Sequence, residues 1–164
     1  MKRYIRSAHE FDIGPYTYKS EHYLKKAAGT STDPEELRAI YESKPDSFVK
    51  EKLAYNENTP EDILRDLAKN TKSGRVAVSL ACNPSTPEDA LEYLFYNLPD
   101  VMYKDIALVR IIHRPEFADN DSMIEDFVKM RPTMLYPIEP IGTGYRWSDG
   151  IDPMFLKFVD KSNY

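Results

Sequence analysis

The stretch NPSTPEDAL, residues 83–91, nearly repeats NENTPEDIL, residues 56–64. Laying the chain over itself at an offset of 27 residues brings Thr32, Thr59 and Thr86 into one column. Leu37, Leu64 and Leu91 share a second column, and Ile40, Leu67 and Leu94 a third. Val49 matches Val76, Leu53 matches Leu80, Ala54 matches Ala81 and Asn56 matches Asn83. Self-similarity at a fixed period of this size marks a stack of units, none of which can bury its apolar face alone.

Each column has a physical reading. In TPED the Thr hydroxyl can cap a helix, Pro suits the first helical position, and an acid three residues on can complete a capping box. Helices are therefore predicted to start at about Pro60 and Pro87, with Thr32 or Asp33 capping the first unit. Leu64, Leu67 and Ala68, then Leu91, Leu94 and Phe95, recur at three- and four-residue spacing and predict one buried stripe per helix. VAVSLA at 76–81 alternates like a strand, but its aligned partner VKEKLA at 49–54 places Glu51 where alternation needs an apolar residue. The second element of each unit is accordingly a short helix. Asn56 and Asn83 are expected to satisfy turn backbone through their side chains.

The expected fold is mainly α: a short α-solenoid of about four helical repeats, flanked by an irregular N-terminal segment and an aromatic, Pro-containing C-terminal cap. Residues 1–28 form the basic, Tyr-rich N-terminal cap; 29–130 form the repeats (29–55, 56–82, 83–109 and a degenerate 110–130); 131–164 form the C-terminal cap. IALVRII at 106–112 continues the short-helix columns, DSMIEDFV at 121–128 resembles the capped helix, and a last helix is expected over 153–160.

These residues resemble the leucine-rich repeat variant family, whose units carry an N-P-x-T-P turn followed by a helix with Leu at the stripe positions. NPSTPEDAL is close to that pattern, NENTPEDIL departs from it at Glu57, and the likeness covers roughly residues 29–128. It implies a right-handed superhelix of alternating helices, although the units here are longer than the family's usual repeat. It implies no single activity. Some members carry a cysteine cluster for an iron–sulfur centre, which this chain lacks, so no cofactor is expected. Short members of this kind resemble small proteins of bacterial mobile elements and phages, which implies such an origin.

Composition narrows the function. Of 164 residues, 41% are apolar and 30% charged, and the net charge is −5, values ordinary for a globular chain. Residues 1–28 hold six Lys and Arg against three acids, whereas residues 29–100 hold eight against fourteen. The acidic balance disfavours duplex DNA, whose binding rests on phosphate neutralisation. No apolar run has signal-peptide or membrane-span length, and the single cysteine fits a reducing cytoplasm. No membrane partner is expected.

No catalytic set emerges. His9, His22 and His113 lack a metal-ligand spacing. Cys82 aligns with Tyr55 in what reads as an apolar column, predicting a buried, inert thiol. GTGYRWSDG at 142–150 lacks the Lys-Ser/Thr of a phosphate loop and reads as a turn or hairpin. The acids Glu35/Glu36, Glu61/Asp62 and Glu88/Asp89 open successive helices; complementing helix dipoles explains them, and a carboxylate ridge for a basic partner is the sharper reading. Tyr16, Tyr18 and Tyr23 interleave with Lys19, Lys25 and Lys26, a pattern that can bind single strands or cap the first unit. Aligned positions also change from Lys50 and Glu51 to Ala77 and Val78. Val78 is therefore expected to be partly exposed, or covered by MFLKFV at 154–159 or by a partner.

The reading is a non-enzymatic protein-interaction module with a protein partner, its candidate partner-binding residues being Val78, Lys50, Glu51, Glu61, Asp62, Glu88 and Asp89. The alternative is a nucleic-acid-binding accessory protein using the basic N-terminal arm.

Overall fold

A computed structural model describes residues 11–131, 138–141, 144–147 and 152–158. In chain order the elements are β1 Phe11–Ile13, β2 Tyr16–Tyr18, α1 Glu21–Thr30, α2 Pro34–Glu42, α3 Ser47–Tyr55, α4 Glu61–Asn70, α5 Gly74–Cys82, α6 Glu88–Asn97, α7 Lys104–Ile112, α8 Asp121–Met130, β3 Ile138–Ile141 and β4 Gly144–Trp147. The chain is mainly helical. Its sheets are two antiparallel hairpins, β1 with β2 and β3 with β4. It divides into two compact units, Met1–Ala107 and Leu108–Tyr164.

In the first unit α3 packs against both α1 and α5, α4 packs against α6, and consecutive helices from α1 to α6 touch. The stripes predicted from spacing are the ones buried: Leu37 and Ile40 on α2, Leu64, Leu67 and Ala68 on α4, Leu91, Leu94 and Phe95 on α6. The stretches 49–54 and 76–81 are helical, with Val49, Leu53 and Ala54 and then Val76, Leu80 and Ala81 inside.

The turns depart from the expected capping. α4 and α6 begin one residue late, with Pro60 and Pro87 as extended caps whose carbonyls accept from Leu64 N and Leu91 N. Thr59 and Thr86 do not cap these helices. Each hydroxyl turns back to the preceding helix, Thr59 donating to the Leu53 carbonyl and Thr86 to the Leu80 carbonyl, both at 2.7 Å. The reason is burial: both threonines are enclosed, and a helix C-terminus leaves carbonyls that need donors. In the first unit the cap is Asp33, which accepts from Glu35 N. Asn56 and Asn83 serve the turns as expected, each accepting from the amide two residues on. They also reach across turns: Asn56 Nδ2 donates to the Ala28 and Ser31 carbonyls, and Asn83 Nδ2 to the Ala54 and Asn56 carbonyls.

The N-terminal segment is more regular than expected. Residues 21–30 form α1, which buries Leu24 and Ala28 against α3. The preceding hairpin holds the start of α2, Tyr16 donating to Asp33 and Tyr18 to Glu36 at 2.7 Å. Burial and the Glu36 carboxylate push the Tyr18 phenol up. Of the three tyrosines read as caps, Tyr23 instead points outward.

Gly74 opens α5 where the backbone at Met102 crosses it. An added Cβ would lie 1.6 Å from the Met102 carbonyl oxygen. Gly74→Ala therefore forces the crossing backbone aside, and the expected loss is about 1 to 3 kcal/mol, read by urea denaturation; at an ordinary exposed helix site the same change would stabilise.

In the second unit Asn120 caps α8 by accepting from Met123 N, and Phe127 stacks on Phe155 at 5.3 Å between ring centres. His113 joins this cluster, its Nε2 2.8 Å from Asp152 Oδ2 and its ring edge-on to Phe155. Lys157 pairs with Asp121. The helix expected over 153–160 is a single 3-10 turn, Pro153–Phe155, capped by Asp152; residues 159–160 lie outside the described residues. The hairpin expected from GTGYRWSDG is present as β4 paired with β3; residues 142–143 and 148–150 lie outside the described residues.

Candidate functional site

Arg38 on α2 forms a bidentate pair with Asp62 on α4, its two Nη atoms 2.7 and 3.0 Å from the carboxylate oxygens. One unit later Arg65 on α4 reaches Asp89 on α6 with Nε at 3.0 Å, and Glu61 with Nη1 at 3.1 Å. The donated Arg38 hydrogen bonds hold the Asp62 carboxyl below the usual carboxylate range. Glu36 is taken up by Tyr18 and Ser31. Thus Glu61, Asp62 and Asp89 face arginines of their own chain, while Glu88 is exposed with no ion pair among the described residues. The sequence reading missed Arg38 and Arg65, whose 27-residue spacing is itself a repeat column; the aligned position 92 is Glu.

The outward face of α3 is a second feature. Phe48, Lys52 and Tyr55 follow at i, i+4 and i+7 and so share one side of the helix. Phe48 is 53% and Tyr55 63% exposed. Lys25 of α1 sits over the Phe48 ring at 4.9 Å, a favourable cation–π placement. The Lys52 methylenes pass Gly29 of α1, where an added Cβ would meet them at 3.6 Å, an ordinary van der Waals contact. Glu51 is half-buried and 3.7 Å from Arg75, which lies near the Tyr103 ring. Val78, aligned with Glu51, is half-buried, in keeping with its expected partial exposure. Residues 154–158 of MFLKFV belong to the second unit, and residue 159 lies outside the described residues. Cys82 is exposed, not buried. The column it shares with Tyr55 follows the last buried residue, Ala54 or Ala81, and a 100° step carries it round to the solvent side.

Lys50 stands elsewhere. It lines a cavity of about 400 Å³ together with Tyr41, Ser47, Asn70, Lys72 and Ser73. A neighbouring cavity of about 370 Å³ shares Tyr41 and Lys50 and adds Glu42 and Lys44. Lys44, in the left-handed region at φ 56°, closes the turn after α2.

Among the described residues no group of three or more His, Cys, Asp or Glu side chains is placed to hold a metal ion. No described helix is long and apolar enough to cross a membrane. His22 is exposed beside Tyr23. His9 and the basic arm of Lys2, Arg3 and Arg6 lie outside the described residues. Compared with protein-family models, curated proteins and solved structures, the chain matches none.

Proposed function

We propose that this chain is a non-enzymatic protein-interaction module. Its frame is a short right-handed α-solenoid of the leucine-rich repeat variant kind, with about four repeats of period 27, working in a reducing cytoplasm. The observation that carries the reading is the outward face of α3, where Phe48 and Tyr55 are more than half exposed on a helix whose opposite side is fully packed. Aromatic side chains are enriched where proteins meet, because they bury large area with few rotatable bonds. Between α3 and α5 the inner columns keep Val49/Val76, Leu53/Leu80 and Ala54/Ala81, while the outer ones change from Phe48 and Tyr55 to Arg75 and Cys82. A constant inside supports the frame; a changing outside suits recognition.

The test is affinity capture with the tagged chain, read by mass spectrometry, beside the Phe48→Glu/Tyr55→Glu double variant and Val78→Glu. Both variants should lose the captured protein while stability shifts by less than about 0.5 kcal/mol, as surface changes usually do. Equal capture by the wild type and the double variant would sink the α3 face. If Val78→Glu unfolds the chain, Val78 is core and is no part of the site. A salt-dependent mobility shift with nucleic acid, abolished when Lys2, Arg3 and Arg6 are neutralised, would replace the reading with the alternative one.

A further inference from the structure

The cavity at Lys50 has a charge character opposite to that of the chain. Residues 29–100 carry a net negative charge, yet no carboxylate lines this cavity. The Asp66 carboxylate, held by two of the lining residues, is engaged: Tyr41 Oη donates to one oxygen and Asn70 Nδ2 to the other. Every arginine of α2, α4 and α5 is also paired, Arg38 with Asp62, Arg65 with Asp89 and Glu61, Arg75 with Glu51. Lys50 and Lys72 have no ion pair among the described residues. The Ser47 and Ser73 hydroxyls likewise make no hydrogen bond among them, and Ser73 does not cap its helix. Two lysines and two serines thus line one cavity whose own lining holds no carboxylate, the Glu42 carboxylate lying in the neighbouring one.

We propose that this cavity binds a phosphorylated serine in an extended segment of a partner protein, an inference that rests on the protein-interaction reading above. A phosphate monoester presents three strong acceptor oxygens and a charge near −2, which two lysines and two hydroxyls can meet together; a carboxylate has two oxygens and half the charge. A cavity of about 400 Å³ is larger than a lone phosphate needs. The neighbouring cavity shares Tyr41 and Lys50, which places a second recess beside the first for the residues flanking the phosphoserine. Lys44 and Glu42 flank that second part, offering one contact of each sign to the residues beside the phosphoserine. The acidic surroundings disfavour a polyanion such as nucleic acid while leaving room for one compact dianion.

The experiment is fluorescence polarisation of the full chain with a labelled degenerate nonapeptide library carrying a fixed central phosphoserine. The same library with serine and free O-phosphoserine as competitor are run beside it. The phosphorylated library should bind at least about tenfold more tightly than the serine library. Lys50→Ala and Lys72→Ala should each weaken it by about tenfold, in line with loss of one charge-assisted contact. Lys69→Ala, a surface change outside the cavity, should leave it unaltered, and circular dichroism should show all three variants folded. Equal binding of the two libraries, or indifference to both lysine variants, overturns the proposal. Free O-phosphoserine competing as well as the peptide also overturns it, assigning the cavity to small phosphates. The two readings fail separately: a protein captured equally after phosphatase treatment would remove the phosphoserine and keep the interaction module, whereas absence of any captured protein would remove the module.

Discussion

Asn83→Ala should destabilise the protein by about 2 to 4 kcal/mol, and Asn83→Asp by more. The side chain is 1% exposed. Its Nδ2 donates to the Ala54 carbonyl at 2.8 Å and to the Asn56 carbonyl at 3.1 Å, while Oδ1 accepts from Ser85 N. The Asn56 carbonyl keeps a second donor, Thr59 N. The buried Ala54 carbonyl loses its side-chain donor, at about 1 to 3 kcal/mol, and the half-buried Ser85 amide loses its acceptor at a smaller cost. Aspartate preserves shape and the acceptor but turns the donor into an oxygen facing two carbonyl oxygens. Its charge would be buried with no cation among its described hydrogen-bond partners, a situation that costs about 3 to 5 kcal/mol. Thermal and urea unfolding of the three proteins check the order wild type, Ala, Asp. A stability of Asn83→Asp equal to wild type would mean that the Asn serves only its own turn, through Oδ1, and ties no units together.

Leu64→Ala and Leu91→Ala should each cost about 2 to 5 kcal/mol, the range for emptying a fully packed leucine site. Both residues are 0% exposed, one on α4 and the other on α6, and those helices pack together. By contrast, Arg65→Met on the outer side of α4 should cost less than about 1 kcal/mol, because its ion pairs are solvated, Arg65 at 38% and Asp89 at 62% side-chain exposure. The comparison separates what builds the frame from what decorates it. Unchanged melting of both leucine variants would remove the buried stripe from the account.

Much of the frame was legible in residues 29–130 because its causes are local. Leucine at three- and four-residue spacing selects one face of a helix wherever that helix ends up. The comparison of 49–54 with 76–81 resolved an ambiguity that either stretch alone leaves open, since two aligned segments must share one backbone. The turn asparagines were legible for the same reason, as an Asn side chain satisfies its own turn before anything else folds.

The remaining features depend on partners distant in the chain. A threonine ahead of a helix ordinarily accepts from an amide of that helix; Thr59 instead donates to the Leu53 carbonyl of the previous helix, which also accepts from Asn56 N, because the turn is buried. α1 has no leucine stripe; only Leu24 and Ala28 are buried, and α3 supplies the surface that makes a helix there worthwhile. Cys82 and Tyr55 look apolar on the page, yet the helix turn carries them to solvent. Lys50 and Lys72 are 22 positions apart, and nothing in local periodicity brings them together. They share a cavity because α3 packs against α5 while the turn before α5 places Lys72 at the same edge. Period and polarity along the chain select helices and their buried sides; which charges, hydroxyls and carbonyls meet is decided only when helices distant in the chain close on one another, because hydrogen bonds and ion pairs depend on distances that no single helix contains.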